Sequence, residues 1–360
     1  IKDKGAILLQ REKKYSRIDD FFAKPPAAGE IAVYNYDFSP RFIIPGYVAE
    51  KNIASLPAKL RGKYEFFIYL KNEDLNLSFD FLDLNKNTAS DPIKIVITGN
   101  GRTVASEELS DDGNASDNGA TGQPGPMNFK ILNLAEGAYK VEVLAGDDII
   151  TESLRTAQKK IAFARLIHIY SAAFPLKLIT DSSSIALQTN NPASLSQVPA
   201  GKEIIDVNET YRQFEKCLND KITEITLSKS DMLVSGDGVF AFSSGALFNP
   251  GVRKITPCFN PVQSGVNYII AGWGGPAEEN SLPAGQAGLS DGETGWKTAS
   301  ADFDLTGAYA EKGKYSFMIS VPGLKAEDEI DDAVLIREIR VELEGKSLWQ
   351  KMKEIYAKIF

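Results

Sequence analysis

The chain has 360 residues, 40 Lys and Arg against 48 Asp and Glu, and a net charge of -8. At roughly 150 residues per domain this length suggests two or three domains, and a 43% hydrophobic share leaves ample material for buried cores. The acid excess speaks against a general electrostatic grip on nucleic acid. One histidine and two cysteines cannot supply a His-rich metal site, a four-thiolate zinc site or an iron–sulfur cluster.

Residues 1–30 read as a helix and linker, with Ala6, Leu9, Ile18, Phe21 and Phe22 apolar among charges and Pro25 and Pro26 closing the segment. The first residue is Ile1 rather than Met, which suggests a processed chain. No charged–apolar–small signal segment occurs, so a membrane anchor would lie outside these residues. Residues 161–176 are the most apolar stretch, but Arg165 and His168 interrupt them. They fall short of the roughly 18 uninterrupted apolar residues a membrane helix needs.

From residue 31 the pattern becomes short strands. Leu75, Leu77, Phe79 and Phe81 alternate with Asn76, Ser78 and Asp80, the period of a half-buried strand. Asn100-Gly101 stands between two β-rich runs, and both central residues of a type I′ hairpin turn need positive φ. Residues 110–126 are almost devoid of apolar side chains and read as a solvent loop. Leu134, Gly137, Tyr139 and Val141 then form a Leu-x-x-Gly-x-Tyr-x-Val string. It resembles the strand-entry corner of immunoglobulin-like and fibronectin-III-like sandwiches, where the tyrosine hydroxyl ties the inter-sheet connection. No Cys…Trp…Cys spacing accompanies it. The resemblance implies an immunoglobulin-like β-sandwich over 31–172.

Residues 173–345 are again strand and turn. Residues 208–218 read as a short helix capped by Asn208, with a strand as the alternative. Strands follow near Val239, Tyr268, Phe303, Phe317 and Ile336. This outline is similar to jelly-roll modules of the carbohydrate-binding type. In residues 346–360, Leu348, Met352, Ile355 and Ile359 line one face of an amphipathic helix. Such a helix would dock on the protein's own sheet, on a partner or on a membrane surface. The expected fold is therefore mainly β, two sandwiches flanked by an N-terminal and a C-terminal helix.

Groups capable of chemistry are few. Any imidazole nucleophile system must use His168, which sits mid-strand where a satisfied sheet histidine is expected. Asp302 and Asp304 share a strand face about 7 Å apart, a spacing that overlaps glycosidase pairs, yet they read as an exposed strand face. Glu278 and Glu279 read as solvated. Asp83, Asn85 and Asn87, followed by Asp91, place oxygen side chains at the spacing of half a calcium loop, without the glycine and the distal Glu of an EF-hand. Asp111, Asp112, Asn114 and Asp117 form a second oxygen-rich group. Calcium is thus the one cation to consider, and no other cofactor is expected.

Trp273 and Trp296 bracket a Gly/Pro-rich loop, with Tyr268 nearby, and make a candidate ring-stacking platform for a glycan. Cys217 and Cys258 are a candidate disulfide. The sequence reading is a non-enzymatic protein of the cell surface or envelope, working by assembly, adhesion or ligand display, with other envelope proteins or its own copies as partners. A glycan-binding module and a polysaccharide-acting enzyme are the alternatives.

Overall fold

The computed structural model describes residues 1–272 apart from 4–5, 35, 87–89, 112–120, 123, 219 and 257, together with residues 338 and 340. The chain divides into two compact units, Ile1–Ala277 and Glu278–Phe360. In the second, Arg340 pairs with Glu338 at 3.2 Å. The expected C-terminal helix over 346–360 lies outside the described residues. The described residues are mainly β, as their period-2 patterning requires.

The N-terminal helix is shorter than expected. Strands β1 (Lys2–Asp3) and β2 (Ala6–Gln10) precede α1 (Ile18–Ala23) and β3 (Ile31–Tyr34). Ala6 and Leu8 are buried while Leu9 is exposed. That is strand alternation, which the apolar positions chosen for a helix concealed.

The first sandwich begins with the short β4 (Ala54–Ser55) and then runs through β5 (Ala58–Arg61), β6 (Tyr64–Leu70), β7 (Leu75–Asp83), β8 (Ile93–Gly99), β9 (Arg102–Leu109), β10 (Pro126–Ile131), β11 (Gly137–Leu144) and β12 (Ile149–Thr156). One antiparallel sheet has the order β5-β12-β7-β10. The other has the order β6-β11-β8-β9. This is the strand order of a jelly roll, two interlocked Greek keys. The inward residues of both sheets, among them Phe66, Ile68, Leu77, Phe79, Ile95, Ile97, Val141 and Val143, form one continuous core. The hairpin turn is as the sequence requires, with Asn100 at φ 52° and Gly101 at φ 72°.

The immunoglobulin-like order expected for this stretch is therefore replaced. The local corner is present, because the Tyr139 hydroxyl donates to the Ala135 carbonyl at 2.8 Å. Such a corner marks a strand entering a sandwich. It does not decide which strands become neighbours.

β13 (Ile161–Ala172) joins this sandwich to the next. Residues 161–164 pair with β6, and Ile169, Ser171 and Ala172 pair with β5, so one strand borders both jelly-roll sheets. The change occurs at a bulge where Arg165 takes φ 60°. A bulge bends its strand and strengthens the local twist, which lets β13 pass from one sheet to the other.

The second sandwich comprises β14 (Leu176–Thr180), β15 (Ser184–Gln188), β16 (Ser196–Ala200), β17 (Glu203–Val207), β18 (Phe214–Cys217), β19 (Thr223–Leu227) and β20 (Met232–Ala241). β20 pairs with the free edge of β13. Its first half also pairs with β15, which pairs with β18. Its last residues pair with β14, which continues through β19 and β16 to β17. The pairing of β15 with β18 and of β16 with β19 is the one immunoglobulin-like sandwiches use at their centre. No helix forms over 208–218; Phe214–Cys217 take the strand alternative, since β15 offers their backbone a ladder.

Finally β21 (Arg253–Lys254) and β22 (Tyr268–Gly272) return to the N-terminal strands. The resulting mixed sheet runs β1-β2-β22-β3-β21, with β22, β3 and β21 parallel. Helix α1 covers one face with Ile18 and Phe21, against Leu8, Ile31, Val33 and Ile270. Among the described residues no helix is long and apolar enough to cross a membrane.

Candidate functional site

Alternating strand direction gathers the described parts of four jelly-roll connections at one end: residues 62–63, 84–86 with 90–92, 110–111 with 121–122 and 124–125, and 145–148. Contacts between them are direct. The Arg61 side chain donates to the Asp147 carbonyl. Asp83 forms an isolated bridge with Gly122. The Asp91 N–H donates to Asp111 Oδ1 at 3.4 Å, and the Lys86 N–H donates to Asp148 Oδ2 at 3.3 Å.

This end is rich in carboxylates. Asp83 and Asp148 are 1% and 2% exposed, and Asn85 is 3% exposed. Asp83 Oδ1 accepts the Asn85 N–H at 2.8 Å, an Asx turn that holds Asn85 at φ 46°. The Asp91 carboxyl is pushed up to about 6. Burial is the largest cause, followed by repulsion from Asp148 and Asp83, a hydrogen bond to Asp148, and repulsion from Asp111. A hydrogen bond between two carboxyl groups needs a proton on one of them.

Of the sequence candidates, the structure brings Asp83, Asn85 and Asp91 to one place; Asn87 lies outside the described residues. Among the described residues no group of three or more His, Cys, Asp and Glu is arranged to hold a metal ion. Asp148 escaped the sequence reading. Its signal was the acidic pair Asp147-Asp148 directly after Gly146, at the turn that β11 and β12 close.

Beside this end lies the chain's one imidazole. His168 Nε2 is 2.8 Å from Asp231 Oδ1, and both side chains are largely enclosed. Arg61 Nη1 stands 3.6 Å from the same oxygen. The Asp231 carboxyl is held below its ordinary range, first by the hydrogen bond to His168 and then by the positive charges of His168, Arg61 and Lys86. His168 is a satisfied sheet histidine, as expected. Its partner, 63 positions away in sequence, was not legible.

A second polar group pins the segment that follows β20. Asp181 pairs with Arg253 at 3.3 Å, accepts the Val239 N–H at 2.8 Å and accepts from the Asn249 amide at 3.0 Å. Asp237 accepts the N–H groups of Ser183 and Ser184, together with the Ser183 and Thr256 hydroxyls. At Gly238 a Cβ would come within 2.3 Å of Asp181 Oδ1, so only glycine lets β20 pass this close. The disulfide between Cys217 and Cys258 ties β18 to the same segment. Both carboxylates of this group are committed to internal partners, which makes it a structural fastening.

Tyr268 is 5% exposed and packs edge-on against Tyr15 and tilted against Phe21. A ring-stacking platform needs an open ring face, so Tyr268 belongs to the core of the mixed sheet. Trp273, Trp296, Glu278, Glu279, Asp302 and Asp304 lie outside the described residues.

No known protein family matches the chain, and no curated protein does. Among solved structures it is similar to dimeric latent PorU from Porphyromonas gingivalis at 12% identity and a TM-score of 0.21, covering 62% of this chain and 22% of that one. It is also similar to the VP2 subviral particle of infectious bursal disease virus at 10% identity and a TM-score of 0.19, covering 55% of this chain and 45% of that one. The chain thus spans less than half of either structure, and likeness at this level bears on neither fold nor function.

Proposed function

We propose that the protein is a non-catalytic scaffold of the cell surface or envelope, which works through its loops and sheet faces in assembly, adhesion or ligand display. The observation that carries this reading is the Cys217–Cys258 disulfide, which ties β18 of the second sandwich to the segment that follows β20. Disulfides persist in oxidising compartments and are rare in the reducing cytosol. The jelly roll supports the same reading, because its loops converge at one end on a rigid two-sheet base, the arrangement by which sandwiches present binding surfaces. Partners on this view are other envelope proteins or further copies of the chain.

The test uses the source cells. A membrane-impermeant amine label applied to intact cells should mark the protein, and alkylation without reductant should find both cysteines blocked. Cross-linking on intact cells should then capture envelope proteins or a second copy. Recovery in the cytosolic fraction with two free thiols would overturn the proposal.

A further inference from the structure

We infer that Asn208 is an N-glycosylation site, modified by a transferase that reads Asp206 as well as the acceptor triplet. Asn-x-Ser/Thr is the acceptor pattern for N-linked sugar, and it occurs here at Asn76, Asn114 and Asn208. In all three cases an aspartate stands two positions earlier, at Asp74, Asp112 and Asp206. Acids fill only 48 of 360 positions, so this threefold agreement is not expected by chance. A carboxylate at that distance gives a cationic side chain of a transferase a charge-assisted grip next to the acceptor.

The fold separates the acceptors. Asn76 and Ser78 lie within β7, laddered to β10 on one side and to β12 on the other. The Asn76 N–H donates to Gln158 Oε1 at 3.1 Å, and its carbonyl accepts from the Thr156 hydroxyl at 2.9 Å. That triplet cannot bend into an enzyme without breaking the sheet. Asn114 lies outside the described residues. Asn208 directly follows β17 and is exposed where the chain leaves the ladder and turns. Its Nδ2 donates to Asp206 Oδ2 at 3.2 Å, which sets the carboxylate beside the acceptor nitrogen. The far side of the turn is anchored, since the Tyr211 N–H donates to the Thr189 carbonyl at 2.9 Å. Nearby Ile204 and Tyr211 are 61% and 75% exposed, apolar surface that a sugar chain would shield.

The co-substrate is an oligosaccharide carried on a polyprenyl pyrophosphate. The bond from sugar C1 to the pyrophosphate oxygen breaks and its electron pair leaves with the pyrophosphate. A bond from C1 to Asn208 Nδ2 forms, and one amide proton passes to a base, with no change of oxidation state. The inference rests on the envelope reading, because such acceptors are surface loops of exported proteins.

Tryptic peptides of the protein labelled on intact source cells test it. Peptide 203–212 should carry a mass increment of whole sugar residues, and electron-transfer fragmentation should place it on Asn208. Peptide 72–86, which holds Asn76, should keep its unmodified mass. Asn208→Gln and Thr210→Ala should each abolish the increment, and Asp206→Asn should lower its occupancy about tenfold. Exposed positions such as these tolerate substitution without loss of the fold. Surface-labelled protein whose peptide 203–212 is wholly unmodified would overturn the site and leave the envelope reading standing. An increment on Thr210, or full occupancy in Asp206→Asn, would also overturn the inference. Recovery in the cytosol with two free thiols and no sugar would overturn both.

Discussion

The Tyr139 ring lies directly over Gly99. The two residues are opposite each other on β11 and β8, and a Cβ placed on Gly99 would fall 2.3 Å from the ring. The aromatic side chain covers the space that the glycine leaves, while its hydroxyl reaches back to the Ala135 carbonyl. One residue thereby closes the end of a hairpin strand and anchors the entry of the next strand but two.

Gly99→Ala should lower unfolding stability by about 2 kcal/mol, because the methyl group forces either the ring or the strand to move. Tyr139→Phe should cost about 1 kcal/mol, the net worth of one partly buried hydrogen bond. Urea unfolding of the two variants checks the pair. A neutral Gly99→Ala would mean that the ring is free to swing away.

Arg165 carries the bulge of β13 with φ 60°, and its side chain is 77% exposed. A non-glycine residue in the left-handed region costs roughly 1–2 kcal/mol, and the surface pair with Glu65 returns little of that. Arg165→Gly should therefore raise stability by about 0.5 kcal/mol after the glycine's larger unfolded-state entropy is counted. Arg165→Val should lower it by about 2 kcal/mol, since a β-branched residue tolerates positive φ worst. Equal stabilities by chemical denaturation would show that the bulge relaxes without cost.

Asp91 makes the jelly-roll loop end pH-dependent. Its carboxyl is raised from 3.8 to about 6 in the folded protein. A raised acid binds its proton more tightly when folded, so its contribution is complete below about pH 4 and fades as pH climbs through the folded value near 6. Asp91→Asn keeps a neutral polar group there. It should match the parent at pH 4 and exceed it by about 1 kcal/mol at pH 7.5, a figure already reduced for solvent screening. Unfolding curves at the two pH values decide the point, and a variant weaker than the parent at pH 7.5 would reverse the assignment.

The disulfide spans 41 positions. Closing a loop of that length restricts the unfolded chain by about 4 kcal/mol on the chain-entropy estimate. The Cys217→Ser, Cys258→Ser double variant should lose a stability of that order. The Asp181–Arg253 pair and the Asp237 bonds remain to hold the segment after β20 in the folded state. Limited proteolysis should therefore find this segment protected in the native double variant. Rapid cleavage there under native conditions would show that the covalent link alone held it.

What the residues determined by themselves was local. Alternation along 75–81 reports a strand with one buried face, because side chains on a pleated backbone point to opposite sides. Asn100-Gly101 reports its turn, because only such residues enter the left-handed region cheaply. The Tyr139 corner was legible too, since its partner lies within a few residues. The tertiary structure alone decided which strands became neighbours, and so placed a jelly roll where an immunoglobulin-like order was expected. It also turned the leading segment into strands, because β22 supplied the ladder that β2 needed. It alone set Asp148 beside Asp91 and Asp231 beside His168. Those pairings join positions far apart in the chain, and their energy depends on the burial and charge that exist only once the sheets have closed.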